Sequence, residues 1–252
     1  PITRWEVADH SLRRREALSA KFVGKVLMVA ATNPRVRAND TDYRYRPDTA
    51  FTHLTGWGSA TVPGSVLLID GRQENCESTL YLMPTAGRDS DEFFANPAIG
   101  EFWVGPRPTL AQVSLQLGIE TKDLKEMEHD LKSIGAVLEM EDPELAEAAS
   151  SLRFVKDDYE ISQMREAVRI TVAGFREVAR SIPKATKQAR GERVVETAFY
   201  SVARQNGFEL GYETIAASGP NACILHWTKN DGEVKPGDLI LIDAGAELDS
   251  LY

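Results

Sequence analysis

Short apolar runs alternate with turn residues through the first half of the chain. Three of them, KVLMVAAT, GSVLLID and TLYLMP, are bounded by Gly, Asn or Pro and are typical of buried strands. Two later segments carry apolar residues at spacings of three and four, which predicts helices over residues 109–117 and 121–134. Strands mixed with helices in this way predict an α/β domain built on a mixed sheet.

The second half begins with the strongest helix pattern of the chain. From Asp158 an apolar stripe recurs at helical spacing and ends at Pro183, which predicts one long amphipathic helix. The stripe consists of Ile161, Met164, Val168, Val172, Phe175, Val178 and Ile182. A second helix is predicted over residues 192–206, before Gly207. The pattern then changes to strands, in YETIAASG, CILHW and DLILIDAGAE, so an α+β domain is expected here.

The segment EDPELAEAAS separates these two patterns. It is acidic, rich in alanine and free of aromatic residues, which is more typical of a surface helix or hinge than of a core element. We therefore predict a domain boundary near residue 150. The two predicted domains, residues 1–150 and 151–252, are each long enough to bury a core.

Composition and charge narrow the possible partners and environment. The 252 residues include 38 Asp and Glu against 29 Lys and Arg, and this acidic balance disfavours nucleic acid as a partner. The triplet Arg13-Arg14-Arg15 is interpreted as a solvated helix face. No apolar run approaches the roughly 18 residues of a membrane helix, and no secretory signal is visible, so a soluble protein is expected. Cys76 and Cys223 lie outside any CxxC pattern, as expected of reduced thiols in the cytoplasm.

Two residues are candidates for chemistry, and each also has a structural explanation. Asp243 closes the apolar run 239–242, where a buried carboxylate must be paired, hydrogen-bonded or bound to metal; taken alone, it more simply caps the next turn. His226 lies within ILHW and is either a satisfied core histidine or an acid–base group facing a cleft. The absence of GxGxxG, Walker, HExxH and GxSxG motifs leaves nucleotide binding and serine or zincin hydrolysis without support.

The order of several segments resembles one known family. From Leu152, LRFVKDDYEISQMREAVRIT is followed by GYETIAASGPNACILHWTKND and KPGDLILIDAGAE, as at the start of the catalytic domain of aminopeptidase P. These enzymes are the Xaa-Pro aminopeptidases with the pita-bread fold. Upstream, NDTDYRYRPDTAFTHLTGW and DEFFANPAIGEFWVGPRPTL resemble that family's N-terminal domain, of the creatinase and prolidase type. The resemblance covers nearly the whole chain.

This resemblance implies a metallo-aminopeptidase that hydrolyses the bond between an N-terminal residue and a following proline. The family uses two divalent cations, usually Mn²⁺, held by two Asp, one His and two Glu. Asp243 matches the first metal-ligand Asp, and His226 matches a histidine that lines the substrate site and assists at the scissile carbonyl. The other ligands belong to segments beyond Tyr252, and Asp249 lies too close to Asp243 to match the second ligand. An incomplete pita-bread domain without activity of its own is therefore expected.

Alternatives within this scaffold stay open. A non-catalytic relative would use the pita-bread fold for binding or dimerisation, although retention of Asp243 and His226 argues against it. Prolidase, an Xaa-Pro dipeptidase, shares the scaffold, whereas creatinase does without metal and has no need of Asp243. The resemblance further implies peptide substrates with proline at the second position and a homodimer or homotetramer. Neither nucleic acid nor a membrane is expected as a partner.

Overall fold

The computed structural model describes residues 2–72 and 76–252, which form two compact units, Pro1–Asp157 and Asp158–Tyr252. The helices of the first unit are α1 (Val7–Ser19), α2 (Thr49–Thr55), α3 (Glu92–Ala95), α4 (Glu101–Val104), α5 (Leu110–Leu117), α6 (Met127–Ile134) and α7 (Pro143–Leu152). Its strands are β1 (Val26–Ala30), β2 (Val36–Ala38), β3 (Thr41–Asp42), β4 (Val66–Asp70), β5 (Glu77–Leu82), β6 (Glu120–Asp123) and β7 (Leu138–Glu139).

A five-stranded mixed sheet forms the frame of the first unit. The strand order is β6-β5-β4-β1-β7, in which β1, β4 and β5 are antiparallel neighbours and the edge strands β6 and β7 are parallel to theirs. The three apolar runs of the sequence form the central strands β1, β4 and β5. The predicted α/β class with a mixed sheet is therefore confirmed.

Side chains of the central strands alternate between two helix layers, because successive residues of a strand point to opposite faces. On one face, Leu67 belongs to a buried core that includes Leu54 of α2 and residues of α1, α5 and α7. On the other face, Leu68 and Tyr81 pack with Leu131 and neighbouring residues of α6. The sheet is thus covered on both sides.

Two arginines of helix α1 are buried, so the interpretation of Arg13-Arg14-Arg15 as a solvated face was wrong for two of the three. Nε and Nη2 of Arg14 both donate to Oδ2 of Asp157, at 3.0 and 2.7 Å. Arg15 donates to the carbonyl oxygen of Leu54 at 2.8 Å. Consecutive helix residues are about 100° apart, so Arg13 can face solvent while Arg14 and Arg15 are buried.

The acidic segment EDPELAEAAS forms helix α7, which packs into the first unit rather than serving as a surface helix or hinge. Leu145 and Ala149, four residues apart, are fully buried in the main core. Asp142 caps the helix by accepting two backbone N–H groups of its first turn. The acidic residues Glu144 and Glu147 are exposed. The division between the compact units follows Asp157, whereas the predicted boundary near residue 150 falls within α7.

One of the two helices predicted in the first half begins later than expected. The segment predicted over residues 109–117 forms α5 (Leu110–Leu117), with the N-cap residue Thr109 and Gln112 in a capping box. Residues Glu120–Asp123, however, form edge strand β6, followed by a 3₁₀ turn at Leu124–Glu126 and then α6. The backbone of β6 pairs with β5, a long-range contact that local apolar spacing does not reveal.

The second unit contains two long helices and four short strands. They are α8 (Asp158–Ala185), α9 (Gly191–Asn206), β8 (Glu209–Leu210), β9 (Ile215–Ser218), β10 (Ile240–Asp243) and β11 (Ala246–Glu247), with a 3₁₀ helix at Gly219–Cys223. Strand β9 pairs with β10, and β8 with β11, both antiparallel. A search of the described residues finds no helix that could cross a membrane.

Helix α8 continues through Pro183 to Ala185, and its buried face agrees only in part with the predicted stripe. Four members of the stripe are exposed, namely Met164, Val168, Val172 and Phe175. The buried face includes Val178 of the stripe, together with Ala167, Ile170 and Gly174, which lie outside it. A Cβ at Gly174 would lie 2.6 Å from the ring of Phe199 on α9, so the two helices approach closely at this point. Small residues favour such close packing, and a pattern built on large apolar residues misses them.

The predicted strand at CILHW was wrong. Cys223 ends the 3₁₀ helix, and the residues after it form a bend and a turn. Ile224 is 48% exposed and Leu225 is 83% exposed, so the apolar letters do not mark a buried element here. The other two predicted strands are present, as β9 and as β10 with β11.

Candidate active site

Asp243 ends strand β10 and is exposed. Its backbone pairs with Ile215 at the start of β9, and the preceding residues Ile240 and Ile242 are half-buried against the core of the second unit. The strand therefore fixes the backbone position of the carboxylate, while the side chain remains accessible. An exposed carboxylate of this kind is available to a ligand, whereas a carboxylate that caps a turn is not.

Tyr212 holds the Asp243 carboxylate. Its hydroxyl donates a hydrogen bond of 2.6 Å to Oδ1. Burial, reinforced by the neighbouring Asp243 carboxylate, raises the pKa of Tyr212 to about 12, so the hydroxyl keeps its proton at neutral pH. A Cβ at Gly245 would lie 3.2 Å from the tyrosine ring, so glycine there leaves room for the ring. The hydrogen bond orients the carboxylate and leaves Oδ2 without a hydrogen-bond partner among the described residues.

His226 lies on the turn that follows the 3₁₀ helix Gly219–Cys223, and it is exposed. It is therefore not the core histidine that its apolar neighbours suggested. Its carbonyl oxygen accepts a hydrogen bond from the backbone N–H of Thr228 at 3.0 Å. Its neighbour Trp227 donates from Nε1 to Oε2 of Glu192 at 2.7 Å, which ties the turn to helix α9.

The two predicted site residues lie in the same unit but do not contact each other. Asp243 pairs with the start of β9, whereas the segment that carries His226 leaves from the end of β9 at Ser218. In the part of the chain that the structure describes, no hydrogen bond or ion pair joins His226 to Asp243. The family resemblance implies that Asp243 and His226 face one cleft, and this stays a prediction.

The chemistry of Asp243 suits a divalent cation. Carboxylate oxygens are the ligands preferred by hard cations such as Mg²⁺ and Mn²⁺, and an oriented, accessible carboxylate can supply one of them. If Asp243 binds a cation, Tyr212 would be the outer partner that orients this carboxylate. Over residues 2–72 and 76–252, no group of three or more His, Cys, Asp or Glu is arranged to hold a metal ion.

Two residues of this region were missed by the sequence analysis. Tyr212 lies in the glycine-flanked start of GYETIAASG, where nothing in the local pattern points to Asp243, 31 residues later. Glu192 opens helix α9, a position where a solvated acidic residue is usual. Only the folded chain brings these side chains to their partners.

Comparison with known proteins identifies both halves of the chain. The model of metallopeptidase family M24 matches residues 162–252, and the model of the aminopeptidase P N-terminal domain matches residues 11–140. Two curated relatives from Streptomyces coelicolor, Xaa-Pro aminopeptidase 1 and Xaa-Pro aminopeptidase 2, are 36% and 38% identical over 97% and 98% of this chain. The chain spans 52% and 55% of their lengths, which is about half of each relative.

A solved structure supports the same fold. The structure of a putative aminopeptidase P from Bacillus anthracis matches 96% of this chain with a TM-score of 0.77 and 22% identity, and the match covers 62% of that chain. The architecture is therefore an N-terminal mixed-sheet domain followed by part of a pita-bread domain, the class found in M24 metallopeptidases. Within that class, the chain belongs to the aminopeptidase P family.

Proposed function

We propose that the complete polypeptide is an Xaa-Pro aminopeptidase, which removes an N-terminal residue that precedes proline. The observation that carries this proposal is the exposed carboxylate of Asp243, oriented by Tyr212 at the end of a strand, in a chain whose relatives are named Xaa-Pro aminopeptidases. Those names favour an aminopeptidase over a prolidase-type dipeptidase. An exposed, oriented carboxylate also favours an enzyme over a non-catalytic binding or dimerisation module.

Asp243 is assigned as a metal ligand in this proposal, and His226 as a catalytic residue that assists at the scissile carbonyl. Both side chains are exposed, as groups that meet a cation or a substrate must be. Two divalent cations, when bound, would polarise the scissile carbonyl and supply a nucleophilic hydroxide. A carboxylate-rich site is most consistent with Mn²⁺. Tyr212 keeps the Asp243 carboxylate oriented, and the turn at Trp227 presents His226.

The proposed substrate class explains why a dedicated enzyme is needed. An Xaa-Pro bond is a tertiary amide without an N–H, and the proline ring fixes φ near −65°. Peptidases that align their substrate through this N–H lose a contact. Peptides with proline at the second position would instead be aligned by their free amine and by groups such as His226.

The test is the substitution Asp243→Asn in the complete protein, with Asp238→Asn as a matched control on an exposed carboxylate of the preceding turn. Hydrolysis of an Xaa-Pro peptide is measured with added Mn²⁺, beside the same peptide with alanine in place of proline. Asp243→Asn should abolish the metal-dependent activity and leave the circular dichroism spectrum unchanged, because the amide removes a ligand charge but little volume. Asp238→Asn should retain the activity. Normal Xaa-Pro cleavage by Asp243→Asn would refute the assignment.

The environment and assembly of the protein are part of the same proposal. Cys76 and Cys223 are both free thiols, which supports a cytoplasmic protein. Phe94, Phe102 and Trp103 form an exposed aromatic cluster on α3 and α4, with ring centroids 4.9 and 5.5 Å apart, which supports a homodimer or homotetramer. Light scattering of the complete protein gives its molar mass, and a monomer would contradict this assembly.

A further inference from the structure

Glu192 is a fully buried carboxylate in the first turn of α9. Its Oε1 accepts hydrogen bonds from the backbone N–H of Ser218 at 2.7 Å and from Nδ2 of Asn221 at 2.9 Å. Its Oε2 accepts from Nε1 of Trp227 and from the backbone N–H of Gly232, both at 2.7 Å. Burial alone would raise the pKa of Glu192, but these four hydrogen bonds hold it below its usual value.

All four donors come from the residue that ends β9 and from the segment that follows it. We call residues 219–232 the His226 loop. The backbone N–H of Glu192 also donates to the carbonyl oxygen of Gly232 at 3.1 Å. A Cβ at Gly232 would lie 2.8 Å from Oε1 of Glu192, so the loop backbone closes directly on the carboxylate. A single side chain thus joins the beginning, the middle and the end of the loop.

A second buried side chain anchors the same loop to β9. Asn230 is fully buried, and its Oδ1 accepts from the backbone N–H of Ala216 at 2.8 Å. Its Nδ2 donates to the carbonyl oxygen of Thr214 at 2.8 Å. His226 lies between these fixed points and next to Trp227, with its own side chain exposed.

We propose that Glu192 is a positioning residue for His226, acting through Trp227 and the other donors of the His226 loop. This inference rests on the proposed function, because the proposed function is what assigns His226 a role in a reaction. The carboxylate fixes the loop at the turn that follows its 3₁₀ helix, so the His226 side chain keeps one direction. A loop held in this way loses little conformational entropy when substrate binds.

The negative charge matters as well as the shape of the side chain. A carboxylate accepts hydrogen bonds at both oxygens, whereas glutamine accepts at one position and donates at the other. In Glu192→Gln, the new NH₂ group would face two N–H donors of the loop. A buried donor set without an acceptor is costly, so the turn beside His226 should open although the volume is unchanged.

The experiment compares the wild type, Glu192→Gln, His226→Ala and the double variant in the complete protein, using hydrolysis of an Xaa-Pro peptide. Glu192→Gln should lower kcat roughly 10- to 100-fold with KM changed less than about threefold. In the His226→Ala background, the same substitution should change kcat less than about twofold, since the residue that it positions is gone. Fully additive effects would mean a general structural role and would overturn the proposal.

A readout independent of activity separates this proposal from the proposed function. Hydrogen exchange of residues 219–232, followed by mass spectrometry, should become faster in Glu192→Gln. It should stay unchanged in Glu177→Gln, an isosteric control on the exposed ion pair with Arg180. Unchanged exchange of the loop in Glu192→Gln would overturn the proposal. If exchange rises but the wild type cleaves no Xaa-Pro peptide, the anchoring holds and the proposed function fails.

A milder variant protects the test against misfolding. Trp227→Phe keeps an aromatic ring and removes a single donor to Glu192. It should lower kcat in the same direction as Glu192→Gln but by less, and it should speed exchange only around the turn. A Trp227→Phe protein with wild-type kcat and wild-type exchange would contradict a role of this hydrogen bond in holding His226.

Discussion

Arg15 illustrates how one charged side chain can organise a core. It is buried, and its guanidinium donates to Oγ of Ser78 at 3.1 Å, to Oγ of Ser11 at 3.2 Å and to the carbonyl oxygen of Leu54 at 2.8 Å. Burial lowers the pKa of Arg15 to about 10, which still leaves it protonated at neutral pH. The side chain therefore links α1 to α2 and to the beginning of β5.

We predict that Arg15→Ala lowers the free energy of unfolding by about 3 kcal/mol, because it leaves buried acceptors unpaired and a cavity behind. Arg13→Ala, on the exposed face of the same helix, should change it by less than about 0.5 kcal/mol. Urea unfolding of the two variants, followed by circular dichroism, measures both values. Equal stability of the two would show that the contacts of Arg15 contribute nothing net.

Tyr212 offers a second test at the scale of one residue. Its hydroxyl donates a hydrogen bond of 2.6 Å to Oδ1 of Asp243. In the complete protein, Tyr212→Phe should weaken Mn²⁺ binding roughly 10- to 100-fold, because outer partners orient and tune metal ligands. Calorimetric titration with Mn²⁺ measures the affinity, and Tyr200→Phe on α9 is the matched control. An unchanged Mn²⁺ affinity of the Tyr212→Phe protein would show that Tyr212 does not orient a metal ligand.

At the scale of elements, the contact between α8 and α9 predicts a stability change for a glycine substitution that is opposite to the change expected from helix propensity. Gly174 lies in the middle of α8, where alanine should stabilise a helix by about 1 kcal/mol. A Cβ there would lie 2.6 Å from the ring of Phe199, which is fully buried and stacked edge-on against Phe175. The ring therefore has little room to move.

Gly174→Ala should consequently destabilise the protein by about 1 to 3 kcal/mol, the usual cost of overpacking. Phe199→Leu, combined with Gly174→Ala, should recover part of that loss relative to the sum of the two single variants. Ala173→Gly, the reverse change at the neighbouring position, serves as the comparison for propensity alone. Thermal unfolding of the four variants gives the values, and a stabilised Gly174→Ala protein would mean that the helices move apart freely.

Local sequence patterns predicted the helices that have clear caps and glycine stops and the strands that are formed by strongly apolar runs. Strands β1, β4 and β5 and helices α5 and α9 lie where alternation, caps and glycine stops indicate them. Strand β6 escaped prediction because its pairing with β5 is long-range. The buried face of α8 was predicted only in part, because it includes the small residues Ala167 and Gly174. The stretch CILHW is apolar, yet it forms a turn, and its Trp227 side chain donates a hydrogen bond to Glu192.

The candidate site follows the same division. Asp243 and His226 were proposed because the segments that contain them resemble motifs of one family, in the same order. Tyr212 and Glu192 were not, because their partners lie 31 and between 26 and 40 residues away along the chain. Hydrogen bonds of that reach depend on how β9 and β10 pair, so only the folded second unit reveals them.

For the molecule as a whole, large apolar side chains remain uncovered on the second unit. Leu239 is 86% exposed, Leu225 is 83% exposed, and Val168 on α8 is 61% exposed. Strand β10 also pairs only with β9 among the described strands. Exposed apolar surface beside an unpaired strand edge promotes association with other chains.

A polypeptide of these 252 residues alone should therefore bind a hydrophobic dye and aggregate, and it should neither hold a two-metal centre nor cleave peptides. With Asp243 as the single assigned ligand, a cation would keep most of its water, and no second carboxylate would bridge two cations or position a hydroxide. The measurement is Xaa-Pro peptide hydrolysis with added Mn²⁺, on a sample whose intact mass matches residues 1–252, beside the complete protein. Robust turnover by the 252-residue chain would mean that the ligand set assigned from the family is wrong, because the chemistry would then need no carboxylate beyond those described here.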